Sequence, residues 1–177
     1  MVLGMLVLIA GLPGTGKTTL AAAYAEADQL RHFNSDALRN ELHLRGKYSP
    51  TTKQKVYDEL LARTRKALVE GVSVVVDSTF HQWRVQQAFI LLAKELSTPL
   101  YWIEVTASEA TLRERLVRPR SDSEADFSVY EQIRDSADPL PPNRLQLNTE
   151  EGSLLELIEQ IRRYITKNGK GAAPSTH

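Results

Sequence analysis

With 177 residues, no cysteine and four histidines at unpaired spacings, the chain is long enough to bury a full core as one domain, excludes disulfides and thiolate metal sites, and gives no support for a zinc site. Lys plus Arg and Asp plus Glu both number 22, so no global field exists to hold a long nucleic acid, and any basic surface must be local. Met1 to Met5 carries no charged leader region and no apolar stretch approaches the length of a membrane span, so a cytoplasmic location is expected.

The first element is the apolar run Met5 to Ala10, which reads as a buried parallel strand. Gly11-Leu12-Pro13-Gly14-Thr15-Gly16-Lys17-Thr18 follows directly and fits G-x-x-x-x-G-K-[ST]. Thr19 to Ala27 is a strong helix former that aims its positive dipole end back at this loop. Glycines bend the chain with no Cβ in the way, so the N–H groups of residues 13–18 can point at phosphate oxygens; Lys17 adds a mobile positive charge, and Thr18 a hydroxyl for Mg²⁺. The expected nucleotide-binding set is Gly11, Leu12, Pro13, Gly14, Thr15, Gly16, Lys17, Thr18 and Thr19, against the plainer reading of a Gly-Pro turn that only joins a strand to a helix.

Gln29 to Phe33 is a weak second strand, and Asn34-Ser35-Asp36 caps a short helix expected through Leu44. Ser49-Pro50-Thr51 opens a helix to about Glu70, which Gly71 stops. A third strand, Val72 to Val76, a helix from Trp83 to Leu96, a strand from Leu100 to Val105 and a helix from Ser108 to Val117 follow. Arg118 to Asp126 is polar with a proline and reads as a loop before a short helix, Val129 to Ser136. Arg144 to Asn148 alternates like a last strand, and Leu154 to Ile165 is a closing amphipathic helix. The expected organisation is one domain over 1–166 and a disordered tail over 167–177. Alternating strands and helices predict an α/β domain with a mostly parallel sheet, whose ligands sit outside the strands' carboxyl ends.

Asp36 lies just past the second strand with Arg39 one turn later on the same face. Phosphoryl transfer to a hydroxyl needs a carboxylate to orient that hydroxyl and take its proton, and Arg39 could hold an acceptor's anionic group; an N-cap aspartate in a surface ion pair fits the same residues. Asp77, after three valines, resembles a Walker B carboxylate, and Ser78-Thr79 follows where the water-activating glutamate of AAA+ and ABC ATPases would stand. A strand-end turn aspartate is the alternative. Arg113, Arg115, Arg118 and Arg120 form the densest basic cluster; a solvated face paired with Glu109 and Glu114 suits Arg113 and Arg115 better than Arg120, and Arg120 is the expected finger on the transferring group. Trp83 and Arg84 are candidates for an acceptor pocket or for core, as are Tyr48, Lys53 and Tyr57.

GLPGTGKTT at 11–19, NSDALR at 34–39, VVVDSTF at 74–80, the arginine-rich stretch 113–120 and SEAD at 123–126 resemble the predicted P-loop kinases grouped with the phage-type polynucleotide 5′-kinase domain and the zeta toxins, over about residues 4–165. The resemblance implies a three-layer α/β/α fold with five parallel strands in the order 2-3-1-4-5 and a short lid. It implies Asp36 as general base, Arg39 on the acceptor, and Arg118 or Arg120 as the lid arginine, with Pro119 between them leaving that choice open. Lys17, Asp36, Arg118 and Arg120 are thus the expected catalytic set, Arg39, Asp77 and Thr79 the acceptor set, and Thr18 and Asp77 the Mg²⁺ ligands. The implied activity is an ATP-dependent kinase acting on a small-molecule hydroxyl or a nucleic-acid 5′-hydroxyl, with ATP and Mg²⁺ and no obligate protein partner. A regulatory ATPase or switch with no acceptor is the alternative, weakened by the lack of an N-K-x-D guanine motif and of an ABC signature.

Overall fold

The structure, a computed structural model, describes residues 4–117 and 126–169. Along the chain these form β1 (Leu6–Ala10), α1 (Lys17–Asp28), β2 (Arg31–Asn34), α2 (Ser35–Glu41), α3 (Pro50–Val69), β3 (Val74–Ser78), α4 (Trp83–Glu95), β4 (Leu100–Thr106), α5 (Glu109–Val117), α6 (Phe127–Ser136), β5 (Leu145–Asn148) and α7 (Leu154–Gly169). The five strands form one sheet in the order β2-β3-β1-β4-β5, every pair parallel, the P-loop kinase arrangement expected from the sequence.

β1 and β3 are buried along their whole length, which is why they read as unbroken apolar runs. Their side chains alternate between two cores. Leu6, Leu8, Val74 and Val76 face α3 and α4 through Leu60 and Phe89, while Val7, Ile9 and Val75 face α1 and α7 through Leu20, Tyr24, Ile158 and Ile161. Phe80 pins the chain just after β3. It takes a left-handed φ of 48°, a conformation costly for an aromatic residue, and repays it by burying its ring edge-on against Phe89 and Trp102 at 5.5 and 5.3 Å between centroids. That bend fixes where Ser78 and Thr79 leave the sheet.

Several boundaries move from their expected places. Gln29 adopts a left-handed φ of 57° and closes α1, so β2 begins later, at Arg31, and Asn34 belongs to the strand and to the cap of α2 at once. α2 ends at Glu41 instead of Leu44, because His43 turns left-handed and the Leu44 N–H bonds back to the Arg39 carbonyl. α7 runs through Thr166, Lys167 and Asn168 to Gly169, past the expected boundary at 166; the Asn168 amide donates to the Tyr164 carbonyl and Tyr164 packs edge-on to Tyr101. Among the described residues no helix is long and apolar enough to cross a membrane.

Candidate active site at the phosphate-binding loop

The site begins where β1 gives way to glycine. A Cβ on Gly11 would stand 2.6 Å from the Val105 carbonyl oxygen and 2.7 Å from Thr15 Oγ1, so nothing larger fits. Gly14 and Gly16 take φ of 89° and 90°, turning the loop back onto the first turn of α1. Gly16 is the N-cap of α1 and offers no side-chain acceptor, which leaves the helix's first N–H groups to a ligand anion. The loop is braced from behind. Thr149 Oγ1 donates to the Thr15 carbonyl at 2.8 Å, and Arg115 Nη1 donates to the Gly14 carbonyl at 3.1 Å and to Thr149 Oγ1 at 3.2 Å.

Arg115 is therefore no solvated cation, whereas Arg113 two residues away pairs with Glu109 at 2.7 Å and stacks on the Phe127 ring at 4.0 Å. Arg118 and Arg120, the two candidate lid arginines, lie outside the described residues. Gly14, Thr19, Leu20, Arg115, Thr149 and Leu157 line a cleft of about 520 Å³ beside the loop.

Inside the loop, Thr18 Oγ1 donates to Asp77 Oδ1 at 2.7 Å. Asp77 is fully buried near the carboxyl end of β3, directly across from Ile9 and Asn34. Asn34 Nδ2 donates to the same Oδ1 at 2.7 Å, and His32 Nε2 is bonded to Oδ2. A hydroxyl and a carboxylate side by side under a phosphate loop are the hard oxygen donors that Mg²⁺ takes when substrate phosphates complete its shell, so the residues present fit that ion. The carboxylate turns toward Thr18, Asn34 and His32 and is not among the residues that line the cavity holding Asp36 and Arg39.

That cavity, about 320 Å³, opens on the other side of the loop. Lys17 and Thr18 line it together with Asp36, Arg39, Lys53 and Tyr57. Asp36 sits in the first turn of α2, which Asn34 caps by accepting from the Ala37 N–H at 2.7 Å. Arg39 is only 7% exposed; its Nη1 donates to the Lys47 carbonyl at 2.8 Å and its guanidinium lies 4.6 Å from the Tyr48 ring centre. Its Nε is buried without a hydrogen-bond partner, an arrangement native proteins rarely leave unfilled.

Hydroxyls line the floor: Tyr57 Oη lies 3.1 Å from Ser78 Oγ, and Thr79 Oγ1 lies 2.7 Å from His81 Nδ1. Burial pushes the Tyr57 phenol pKa up against the opposing pull of its bonds to Ser78 and Thr79. Burial, reinforced by Lys53, holds the His81 pKa below the usual histidine value.

Val129, Gln132 and Ile133 of α6 form the far wall, a role the sequence reading did not give that helix although these residues recur at i, i+3, i+4. Asp126, the last residue of the SEAD stretch, caps α6 by accepting from the Val129 N–H at 3.0 Å. Trp83 is 58% exposed and so is not core, does not line this cavity, and donates its backbone N–H to Asp138 Oδ2 at 2.6 Å.

Comparison with known proteins agrees with this architecture. Uncharacterized proteins of Mycobacterium tuberculosis and Mycobacterium bovis are 29% identical over 137 residues, covering 70% of this chain but 28% of each relative, so the chain spans well under a third of their length. Among solved structures, the Mycobacterium tuberculosis APS kinase CysC in complex with AMPPNP and APS superposes with a TM-score of 0.70 at 16% identity, over 92% of this chain and 98% of that one. A gluconokinase from Sinorhizobium meliloti gives 0.68 at 17% identity over 96% and 95%. Chaetomium thermophilum Kti12 in complex with ADP-AlF3 gives 0.70 at 20% over 90% and 98%. Likeness at these identities establishes the fold. The profile of a family described as an AAA domain (AAA_33) matches residues 6–140, and the chain, built on the P-loop kinase fold, belongs to that family.

Proposed function

We propose that the protein is an ATP-dependent phosphotransferase that moves the γ-phosphoryl group to a hydroxyl of a small anionic acceptor. The observation that carries this reading is the shared cavity: the phosphate-loop residues Lys17 and Thr18 border the same roughly 320 Å³ space as Asp36, Arg39 and Lys53. A site that only hydrolysed its nucleotide would not require a second compartment with its own carboxylate and its own cations. Neighbours named as an APS kinase and a gluconokinase support a kinase in general terms.

In this reading Asp36 accepts the proton of the acceptor hydroxyl as its oxygen bonds to the γ-phosphorus. The bond from that phosphorus to the β,γ-bridging oxygen breaks, and ADP departs with the electron pair. Lys17 and the loop N–H groups balance the charge on the phosphates, and Arg120 or Arg118 supplies the further positive charge over the transferring group. Mg²⁺ held by Thr18 and Asp77 would supply charge at the β- and γ-phosphates when bound. The resemblance to polynucleotide 5′-kinases and zeta toxins supports the roles of Asp36 and Arg39.

The acceptor's class follows from the lining. Arg39 and Lys53 suit an anionic group, and the hydroxyls of Tyr57, Ser78 and Thr79 suit a polyhydroxylated body. The small volume of the cavity, about 320 Å³, and the zero net charge favour a single small molecule over a polymer. The test is ATP turnover measured alone and with sugar acids, sugar phosphates, nucleotides, neutral sugars and 5′-hydroxyl oligonucleotides. Turnover stimulated by the small anionic compounds supports the proposal. Stimulation by oligonucleotides that weakens steeply with salt would move the acceptor to a polynucleotide. Robust hydrolysis indifferent to every compound would make the protein a regulatory ATPase.

A further inference from the structure

We propose that His32 and Asn34 form a two-point clamp that sets the Asp77 carboxylate for its cation, and that Asn34 ties this metal half of the site to the helix that carries Asp36. The inference rests on the metal reading above. Asp77 is a fully buried carboxylate, and an anion in such a place is tolerated only if its oxygens are satisfied. Its three partners differ in what they are free to do. Thr18 is itself an expected ligand of the cation, so its hydroxyl cannot be counted on to hold the carboxylate once the metal is present. His32 and Asn34 are not among the expected ligands, and each takes a different oxygen: His32 Nε2 on Oδ2, Asn34 Nδ2 on Oδ1 at 2.7 Å, with the same Nδ2 3.3 Å from Thr18 Oγ1. Both oxygens are thereby fixed in direction, which fixes the plane of the carboxylate.

The sheet dictates this arrangement. His32 and Asn34 are two apart on β2 and so project to the same face, and the parallel register sets Asn34 opposite Asp77 and His32 opposite Val75. A register slip of one residue would turn both away. Asn34 then serves both halves of the site with one amide. Its Nδ2 donates to Asp77 while its Oδ1 accepts the Ala37 N–H in the first turn of α2, one residue past Asp36. A serine at 34 would keep the cap and lose the clamp, because its hydroxyl can accept from the helix's first turn but is too short to reach across to Asp77.

The experiment titrates Mn²⁺, followed by electron paramagnetic resonance, into full-length protein saturated with ADP, and measures ADP binding in EDTA in parallel. His32→Ala and Asn34→Ser are expected to weaken Mn²⁺ binding by about tenfold to a hundredfold, the range found when partners of metal ligands are removed, with metal-free ADP affinity within about twofold of wild type. His32→Gln, whose amide can donate from nearly the same position, is expected to recover most of the loss. It also guards against misreading a folding defect, since a partly unfolded His32→Ala would lose ADP binding in EDTA as well. Equal Mn²⁺ affinity in wild type, His32→Ala and Asn34→Ser would overturn the clamp while leaving the metal site standing. A wild-type complex that binds Mn²⁺ no more tightly than free ADP does would overturn the metal site and the clamp together.

Discussion

Replacing Thr149 by valine keeps the side chain's shape and removes one hydroxyl. That hydroxyl donates to the Thr15 carbonyl at 2.8 Å and accepts from Arg115 Nη1 at 3.2 Å, so the substitution deletes two bonds that hold the back of the phosphate loop. Arg115 keeps its bond to the Gly14 carbonyl at 3.1 Å, and the Thr15 carbonyl is left without this donor. A neutral hydrogen bond contributes about 1 kcal/mol net, and a part-buried carbonyl stripped of its donor costs about 1–3 kcal/mol, so we expect a total near 2 kcal/mol. Shared equally between the fold and the loop, about 1 kcal/mol each, this predicts a Tm lower by about 2–4 °C and an ATP-analogue Kd raised by roughly fivefold. Calorimetric titration without metal and thermal melts read the two effects separately. In Arg115→Ala/Thr149→Val the losses should add to less than their sum, because the two residues share a bond. A lowered Tm with an unchanged Kd would refute the bracing role, since the hydroxyl would then be holding up the fold and not the loop's binding geometry.

Two further outcomes follow from the second cavity. Lys53→Ala should raise the KM for an anionic acceptor by about tenfold or more while leaving kcat and the KM for ATP within about twofold, checked by steady-state kinetics with each substrate varied in turn. His81 supplies a pH dependence. Its folded pKa lies below its unfolded value of 6.5, so as pH falls through about 6.5 the unfolded chain takes up the proton first and stability is lost, levelling off below the folded pKa. Melts from pH 7.5 to pH 5.5 should therefore show a smaller loss of Tm in His81→Gln than in wild type; equal losses would exclude His81 as the source.

The parts of this site that the sequence disclosed are those whose chemistry is local. Gly11 to Thr18 announces itself because the loop's geometry depends on its own glycines, Asp36 because it comes just after a strand, and Asp77 because it stands at the end of an apolar one. The braces and the clamp belong to tertiary structure. Arg113 and Arg115 differ by two positions on one helix, and only the packing of α5 decides that Arg113 stacks outward on Phe127 while Arg115 reaches the loop. His32 and Asn34 find Asp77 through the β2–β3 register, and that register was obscured because Gln29 reads as a strand residue when it in fact turns left-handed to close α1. The wall formed by α6 was hidden for a similar reason: a short amphipathic helix does not say which neighbour its apolar face will meet.

The central claim is that donor and acceptor meet in one cavity with Asp36 between them. Transfer from γ-labelled ATP to a panel of small hydroxyl-bearing anions, run with wild type and Asp36→Asn side by side, tests it most directly. A labelled organic product is expected from wild type and at least a hundredfold less from Asp36→Asn, with ATP binding equal in both. Label recovered only as inorganic phosphate with every compound, or a labelled product formed equally well by Asp36→Asn, would contradict it.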